Sequence, residues 1–134
     1  MEASLTFRVP FQDVDSMRIV WHGNYPRYFE QVRAELMRQL GFTYLDMEQA
    51  GYAFPIVTLS VKYKAPARFD ELICVTARLV PCENCLDIAY EVKNAATGQL
   101  LVTAATRQMA VCLKTQESLF ELPEPLLGLM RRLL

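Results

Sequence analysis

The chain is poor in the residues that most often carry metal or acid–base chemistry. Its 134 residues include one histidine, His22, one tryptophan, Trp21, and four cysteines. A surplus of either charge is missing too, since fourteen lysines and arginines face fifteen aspartates and glutamates, for a formal charge of −1. Without a basic surplus there is no long-range field to draw in a polyanion, so nucleic acid is not an expected partner. No apolar run nears the ~20 residues that cross a bilayer, and the opening Met1-Glu2-Ala3-Ser4-Leu5 lacks the basic start of a secretory leader. We expect no membrane insertion and a cytoplasmic location.

In that reducing compartment Cys74, Cys82, Cys85 and Cys112 are expected as free thiols. Cys82-Glu83-Asn84-Cys85 has CxxC spacing, but a structural zinc site wants a second pair of ligands and His22 is far away in sequence. The expectation is two thiols beside a strand turn, with no metal and no cofactor.

What the chain does have is apolar mass. It is 52% hydrophobic and 22% charged, the balance of a folded globular protein. The length suits one domain around one core, so residues 1–134 are read as a single unit.

Over residues 5–11, Leu5, Phe7, Val9 and Phe11 alternate with Thr6, Arg8 and Pro10, the period of a half-buried strand that Pro10 marks as an edge or an ending. A polar loop follows over 12–23, carrying Asp13, Asp15 and His22, and it is the first place to look for chemistry. The period then changes. Tyr25, Tyr28, Phe29, Val32, Leu36, Met37 and Leu40 step by three and four, which predicts a helix of about seventeen residues, roughly 25 Å long. Asn24 is a candidate cap, Pro26 suits the first turn and Gly41 a left-handed exit. Thr43-Tyr44-Leu45-Asp46 then reads as a capping arrangement for a short second helix ended by Gly51.

Four strand patterns follow, at 57–64, 72–80, 86–93 and 100–113, with a Thr97-Gly98 turn before the last. Their short links predict a meander of antiparallel neighbours joined by the opening strand. Glu121 to Pro125 breaks the pattern, and 126–134 predicts a terminal helix with Arg131 and Arg132 near its negative end. The order is that of an α+β domain.

The run Phe11-Gln12-Asp13-Val14-Asp15-Ser16-Met17-Arg18-Ile19-Val20-Trp21-His22-Gly23-Asn24-Tyr25 resembles the signature of the 4-hydroxybenzoyl-CoA thioesterase family, including its Tol–Pal-associated branch. There a D-x-D pair precedes a turn of small residues, an aromatic-His step and an Asn-Tyr helix start. Tyr28-Phe29-Glu30, Gly41-Phe42, Val61-Lys62-Tyr63, Pro66-Ala67 and Phe69-Asp70 resemble later family positions in order. The resemblance implies a hotdog fold, an antiparallel sheet of five to six strands wrapped around a long central helix. It also implies an acyl thioesterase acting on an acyl-CoA or acyl carrier protein thioester. Where the family usually has glycine this chain has Arg18, so a left-handed turn there is strained, or is built differently.

By the same resemblance Asp15 is the catalytic carboxylate. It is ionised at neutral pH and able either to attack the thioester carbonyl or to activate water. The backbone amide at His22 is implied to polarise that carbonyl, with the positive end of the helix behind it. The His22 imidazole can add a proton donor or be structural. Trp21, Gly23, Asn24, Tyr25 and Arg18 are the candidate substrate-binding residues, with Tyr28 and Phe29 read as core. Asp13 is expected to bond loop amides and stays outside the catalytic set. Thr58 and Ser60 can bond substrate or face solvent.

Two other readings compete: a hotdog dehydratase pairing His22 with Glu35, and a non-catalytic acyl-thioester binding module. The resemblance further implies a homodimer or homotetramer with sheets paired edge to edge. On the carrier, the stretch Pro81-Cys82-Glu83-Asn84-Cys85-Leu86 has an acid and no base, whereas Arg18, Lys62, Lys64, Arg68 and Arg78 are scattered. That rim suits an acidic carrier protein better than the phosphates of CoA.

Overall fold

The long helix α1 runs over Tyr25–Leu40 and buries Tyr25, Tyr28, Phe29, Val32, Leu36, Met37 and Leu40, the stripe its period predicts. Val32, Leu36 and Met37 are fully buried, and each such side chain contributes about 1.5–3 kcal/mol on leaving water. Arg33 shares the buried face. Its Nε donates to the Tyr44 hydroxyl at 2.8 Å and its Nη1 to the Tyr90 hydroxyl at 3.2 Å, which lets a cation sit in the core. Gly41 takes φ +90° and its N–H returns to the Met37 and Arg38 carbonyls, closing the helix as expected. The short helix α2, Tyr44–Gln49, carries the full capping box between Thr43 and Asp46.

The computed structural model describes residues 1–133, so the last residue of the helix expected over 126–134 lies outside the described residues. That helix, α3, spans Glu124–Leu133. The strands are β1 (Glu2–Arg8), β2 (Tyr52–Ala53), β3 (Ile56–Tyr63), β4 (Leu72–Val80), β5 (Leu86–Asn94), β6 (Leu100–Gln108) and β7 (Val111–Cys112). Five of them make one antiparallel sheet in the order β1-β4-β5-β6-β3, with α1 packed on β1 and β4; β2 and β7 pair separately. This is the expected α+β architecture of a long helix against an antiparallel sheet.

Three local expectations need correction. The opening strand stops at Arg8, and Phe11 is 69% exposed rather than inward, because Pro10 hands the chain to a 3-10 turn at Phe11–Asp13. The strand pattern over 100–113 is two strands, with β7 leaving the sheet to pair with β2 in a two-residue ladder too short to show a period. And β3 is no neighbour of β4. It pairs with β6 at the far edge, while residues 64–71 cross the end of the sheet. That crossing is bonded throughout: the Lys64 and Ala65 N–H groups both donate to the carbonyl of Leu101, the extra residue of a bulge in β6. Further along, Val20 N–H donates to Ala67 and Phe69 N–H to Arg18, so the crossing segment becomes the floor of the D-x-D loop.

Candidate active site

The loop after β1 is a small hairpin. Val14 and Val20 bridge antiparallel, and Asp15 N–H donates to the Ile19 carbonyl at 2.9 Å. Arg18 N–H donates to the Asp15 carbonyl at 2.9 Å, closing the turn Asp15-Ser16-Met17-Arg18. Arg18 sits at φ +62°, so the turn is left-handed at that position although it carries a side chain. Its guanidinium lies 5.3 Å from the centre of the Phe69 ring and its carbonyl accepts the Phe69 N–H. Asp15 is half-buried, and its Oδ1 accepts the Met17 N–H at 2.8 Å. One oxygen of the carboxylate is thus held by the turn's own backbone, and the other takes no bond among the described residues.

Asp13 points the opposite way. Its carboxylate is buried against α1, where Arg27 donates to Oδ1 and the Tyr28 hydroxyl to Oδ2. Burial pushes this carboxyl up, but the hydrogen bonds from Arg27 and Tyr28 and the guanidinium charge outweigh it and hold it below the ordinary aspartate value. Burial and the same bond push the Tyr28 hydroxyl upward, so it remains a donor. The Asp13 side chain therefore bonds the helix, not loop amides as the sequence suggested; it is the Asp13 carbonyl that takes the Trp21 N–H at 3.0 Å and the Asn24 Nδ2 at 2.8 Å.

His22, Gly23 and Asn24 form a 3-10 turn that runs straight into α1. Asn24 already has helical dihedrals, φ −86° and ψ −17°, so its side chain reaches Asp13 and makes no capping bond. The Asn24 N–H closes the turn onto the Trp21 carbonyl, and the N–H groups of His22 and Gly23 precede that first bond, at the positive end of the helical segment. The Trp21 ring lies over Gly23, where a Cβ would come within 2.4 Å of it. A side chain at this position would have to displace the Trp21 ring.

Beside this turn is a cleft of about 330 Å³ lined by Asp15, Ile19, Val20, His22, Tyr25, Tyr63, Lys64, Ala65 and Pro66. The Tyr63 hydroxyl donates to the His22 carbonyl at 3.1 Å, and the Tyr25 and Tyr63 rings meet at 5.6 Å. Burial raises the Tyr25 hydroxyl to about 12, against a hydrogen bond with the Ala67 backbone that pulls it down, so it stays protonated. A carboxylate with one open oxygen thus faces a cleft at the start of a long helix.

That geometry invites comparison with known proteins. The family model described as "Thioesterase-like superfamily" matches residues 9–129, nearly the whole chain, hairpin and helix included. The chain belongs to the thioesterase-like superfamily. Relatives within reach by sequence include the acyl-CoA thioesterase YbgC of Haemophilus influenzae, 36% identical over 80% of this chain and 78% of that one. The putative acyl-CoA thioesterase YneP of Bacillus subtilis is 32% identical over 77% and 75%. A 1,4-dihydroxy-2-naphthoyl-CoA thioesterase from Synechocystis superposes with a TM-score of 0.86 over 99% and 98% of the two chains, and at 19% identity it shows the shared hotdog fold.

In this thioesterase-like chain the candidates divide by position. Asp15, His22 and Tyr25 share the cleft. Trp21, Gly23 and Asn24 stand in the turn beside it, and Arg18 is drawn to Phe69 at the hairpin tip. Sequence reasoning singled out no site role for Tyr63, which reaches the cleft from the end of β3, or for Ala65 and Pro66 after it. Their signal was present only as the later family positions around Val61-Lys62-Tyr63 and Pro66-Ala67.

Proposed function

We propose that the chain hydrolyses the acyl thioesters of CoA or of acyl carrier protein to a free acid and a thiol, with Asp15 as nucleophile or general base. What supports the reading is the Asp15 carboxylate, fixed through Oδ1 by the Met17 N–H on a residue that lines the cleft. A thioester carbonyl set there puts its oxygen toward the leading N–H groups of the helical segment, and removal of one such donor costs about 2.7–4 kcal/mol of transition-state stabilisation in enzymes where it has been tested. The His22 imidazole, exposed at the cleft wall, is our candidate for the proton donor to the departing thiolate.

Asp15→Asn keeps the Met17 bond acceptor and deletes the charge. The expected result is a fall of more than tenfold in kcat with unchanged thermal unfolding. A variant retaining over a tenth of the activity, a loss under ~1.4 kcal/mol, removes Asp15 from the chemistry.

The dehydratase reading gains nothing from Glu35. It lies about ten residues along α1 from Tyr25, roughly 15 Å away, and Arg38 holds it through two hydrogen bonds, at 2.9 and 2.5 Å, that bring its carboxyl down to about 2. An acid so fixed in the ionised form has no proton to give.

For the carrier, the relatives' names speak for CoA, and the scattered bases speak for a preference for acyl carrier protein esters. Lys64 lines the cleft, while residues 81–86 hold no base. We expect the higher kcat/KM on the carrier protein ester of a given acyl chain; a tenfold advantage for the CoA ester, ~1.4 kcal/mol, overturns that preference.

The working unit proposed is at least a dimer. On β3, Leu59, Val61 and Tyr63 face the same side of the sheet as Thr106, Ala104 and Val102, yet Leu59 is 46% and Tyr63 51% exposed. α1 packs on this same face over β1 and β4 and leaves the apolar edge at β3 bare, which a second copy would cover.

A further inference from the structure

The link between β4 and β5 holds two sulfurs that thioester hydrolysis does not use. The antiparallel pairing of Val80 with Asp87 folds the link back on itself, and Cys82 Sγ lies 2.8 Å from Cys85 Sγ. Bonded sulfurs sit about 2.05 Å apart, so a bridge here needs little movement of either side chain. Cys85 is buried and its thiol donates to Asp87 Oδ1 at 3.3 Å. Cys82 is half-buried and opens on a cleft of about 290 Å³ lined by Pro81, Glu83, Leu127, Met130 and Arg131. The cleft has room for a small molecule, with one cation and one acid among its lining residues.

The two thiols are unequal. Burial pushes Cys82 up, but the Cys85 thiol and the Asn84 and Cys85 N–H groups outweigh it and hold Cys82 below the ordinary thiol value. Burial raises Cys85 to about 12, reinforced by its bonds to Cys82 and Asp87. Of the two, the accessible sulfur therefore gives up its proton the more readily. A metal is the lesser fit. The Cys82, Cys85 and Asp87 ligand atoms lie within 4.8 Å of one another, but Arg107 holds both Asp87 oxygens at 2.9 Å and no fourth ligand joins them among the described residues.

We propose that Cys82 and Cys85 form a thiol–disulfide exchange site, with Cys82 attacking, Cys85 resolving, and a low-molecular-weight disulfide bearing carboxylates as the oxidant. The Cys82 thiolate attacks one sulfur of that disulfide, forming a mixed disulfide and releasing one thiolate. Cys85 then passes its proton to the released thiolate, and its sulfur attacks Cys82 Sγ, expelling the second thiolate, which takes a proton from water. The protein dithiol loses two electrons and the small disulfide is reduced to two thiols. Arg131, which lines the cleft and shares one N–H with Glu124 Oε1 at 3.3 Å, offers its remaining donors to the carboxylates of the incoming molecule.

The site is remote from Asp15. The D-x-D hairpin is tied to the chain just before β4 and the sulfur pair follows its end, about 30 Å along a strand of that length. Cys82→Ser is therefore expected to hydrolyse thioesters at the wild-type rate.

The test equilibrates the whole chain with graded ratios of glutathione disulfide to glutathione, alkylates the remaining thiols and maps the peptides by mass spectrometry. The expected result is a Cys82–Cys85 disulfide appearing while Cys74 and Cys112 stay alkylatable. Cys85→Ser should trap glutathione on Cys82, and Cys82→Ser should leave Cys85 unmodified. The proposal fails if Cys82 and Cys85 oxidise no earlier than Cys74 and Cys112, or if glutathione is found first on Cys85. It also fails if zinc alone protects both reduced thiols and Asp87→Asn abolishes that protection, which would make the cluster a metal site.

Discussion

Arg18 occupies φ +62°, a conformation that costs a residue bearing a Cβ about 1–2 kcal/mol. The guanidinium stacked over Phe69 returns about 0.5–1 kcal/mol of this, the range of an exposed cation–π contact. Replacing Arg18 by glycine relieves the strain, but it loses the stack and adds about 0.4–1 kcal/mol of freedom to the unfolded chain. The terms nearly cancel. Urea unfolding of Arg18→Gly is expected within about 0.5 kcal/mol of wild type, whereas Arg18→Ala keeps the strain without the stack and falls by about 0.5–1 kcal/mol. A glycine variant less stable than the alanine one would show that the positive φ costs less here than the freedom glycine adds to the unfolded chain.

Between elements, the decisive join is Asp13 with Arg27 and Tyr28, which pins the 3-10 turn at Phe11–Asp13 to the first turns of α1. Hydrogen bonds to a charged group contribute about 1.5–3 kcal/mol, and Arg27 is 45% exposed at its side chain, so the lower end applies. Asp13→Asn is expected to lose about 1.5–2 kcal/mol at neutral pH. The folded-state pKa lies below the unfolded value near 3.8, so this stability is complete above about pH 4 and is lost as the pH falls through the folded value. Wild type and Asp13→Asn should therefore converge in urea midpoint on acidification below pH 4. A gap that stays constant down to pH 2 would mean that the Asp13 charge is not what holds the join.

For the whole molecule, the open question of assembly turns on β3. A strand with an unpaired edge and an uncovered apolar face is a site for another copy of the chain. Light scattering at micromolar concentration is expected to give at least twice the 15.4 kDa chain mass. Leu59→Arg, on the bare face of β3, should shift the population to monomer without unfolding it, since Leu59 is already 46% exposed within one chain. A wild type that runs as a monomer sinks the proposal. Loss of hydrolysis together with loss of the dimer would place the partner at the active cleft, where Tyr63 of the same strand already stands.

The sequence by itself determined what depends on near neighbours. The stripe on α1 was legible because a 3.6-residue period is local, and Gly41 and the Thr43–Asp46 box were legible because capping is settled within four residues. The D-x-D resemblance marked the loop and the family through the same short range of residues. Only the tertiary structure decided which aspartate turns inward, because Arg27 and Tyr28 reach Asp13 across a hairpin that no local preference specifies. It alone sent β3 to the far edge of the sheet and carried residues 64–71 back under the loop. And it alone brought Tyr63 to the His22 carbonyl and Cys82 onto Cys85. Such contacts are chosen by the burial and hydrogen bonding of distant segments against the entropy of closing the chain between them, a competition that no window of neighbouring residues contains.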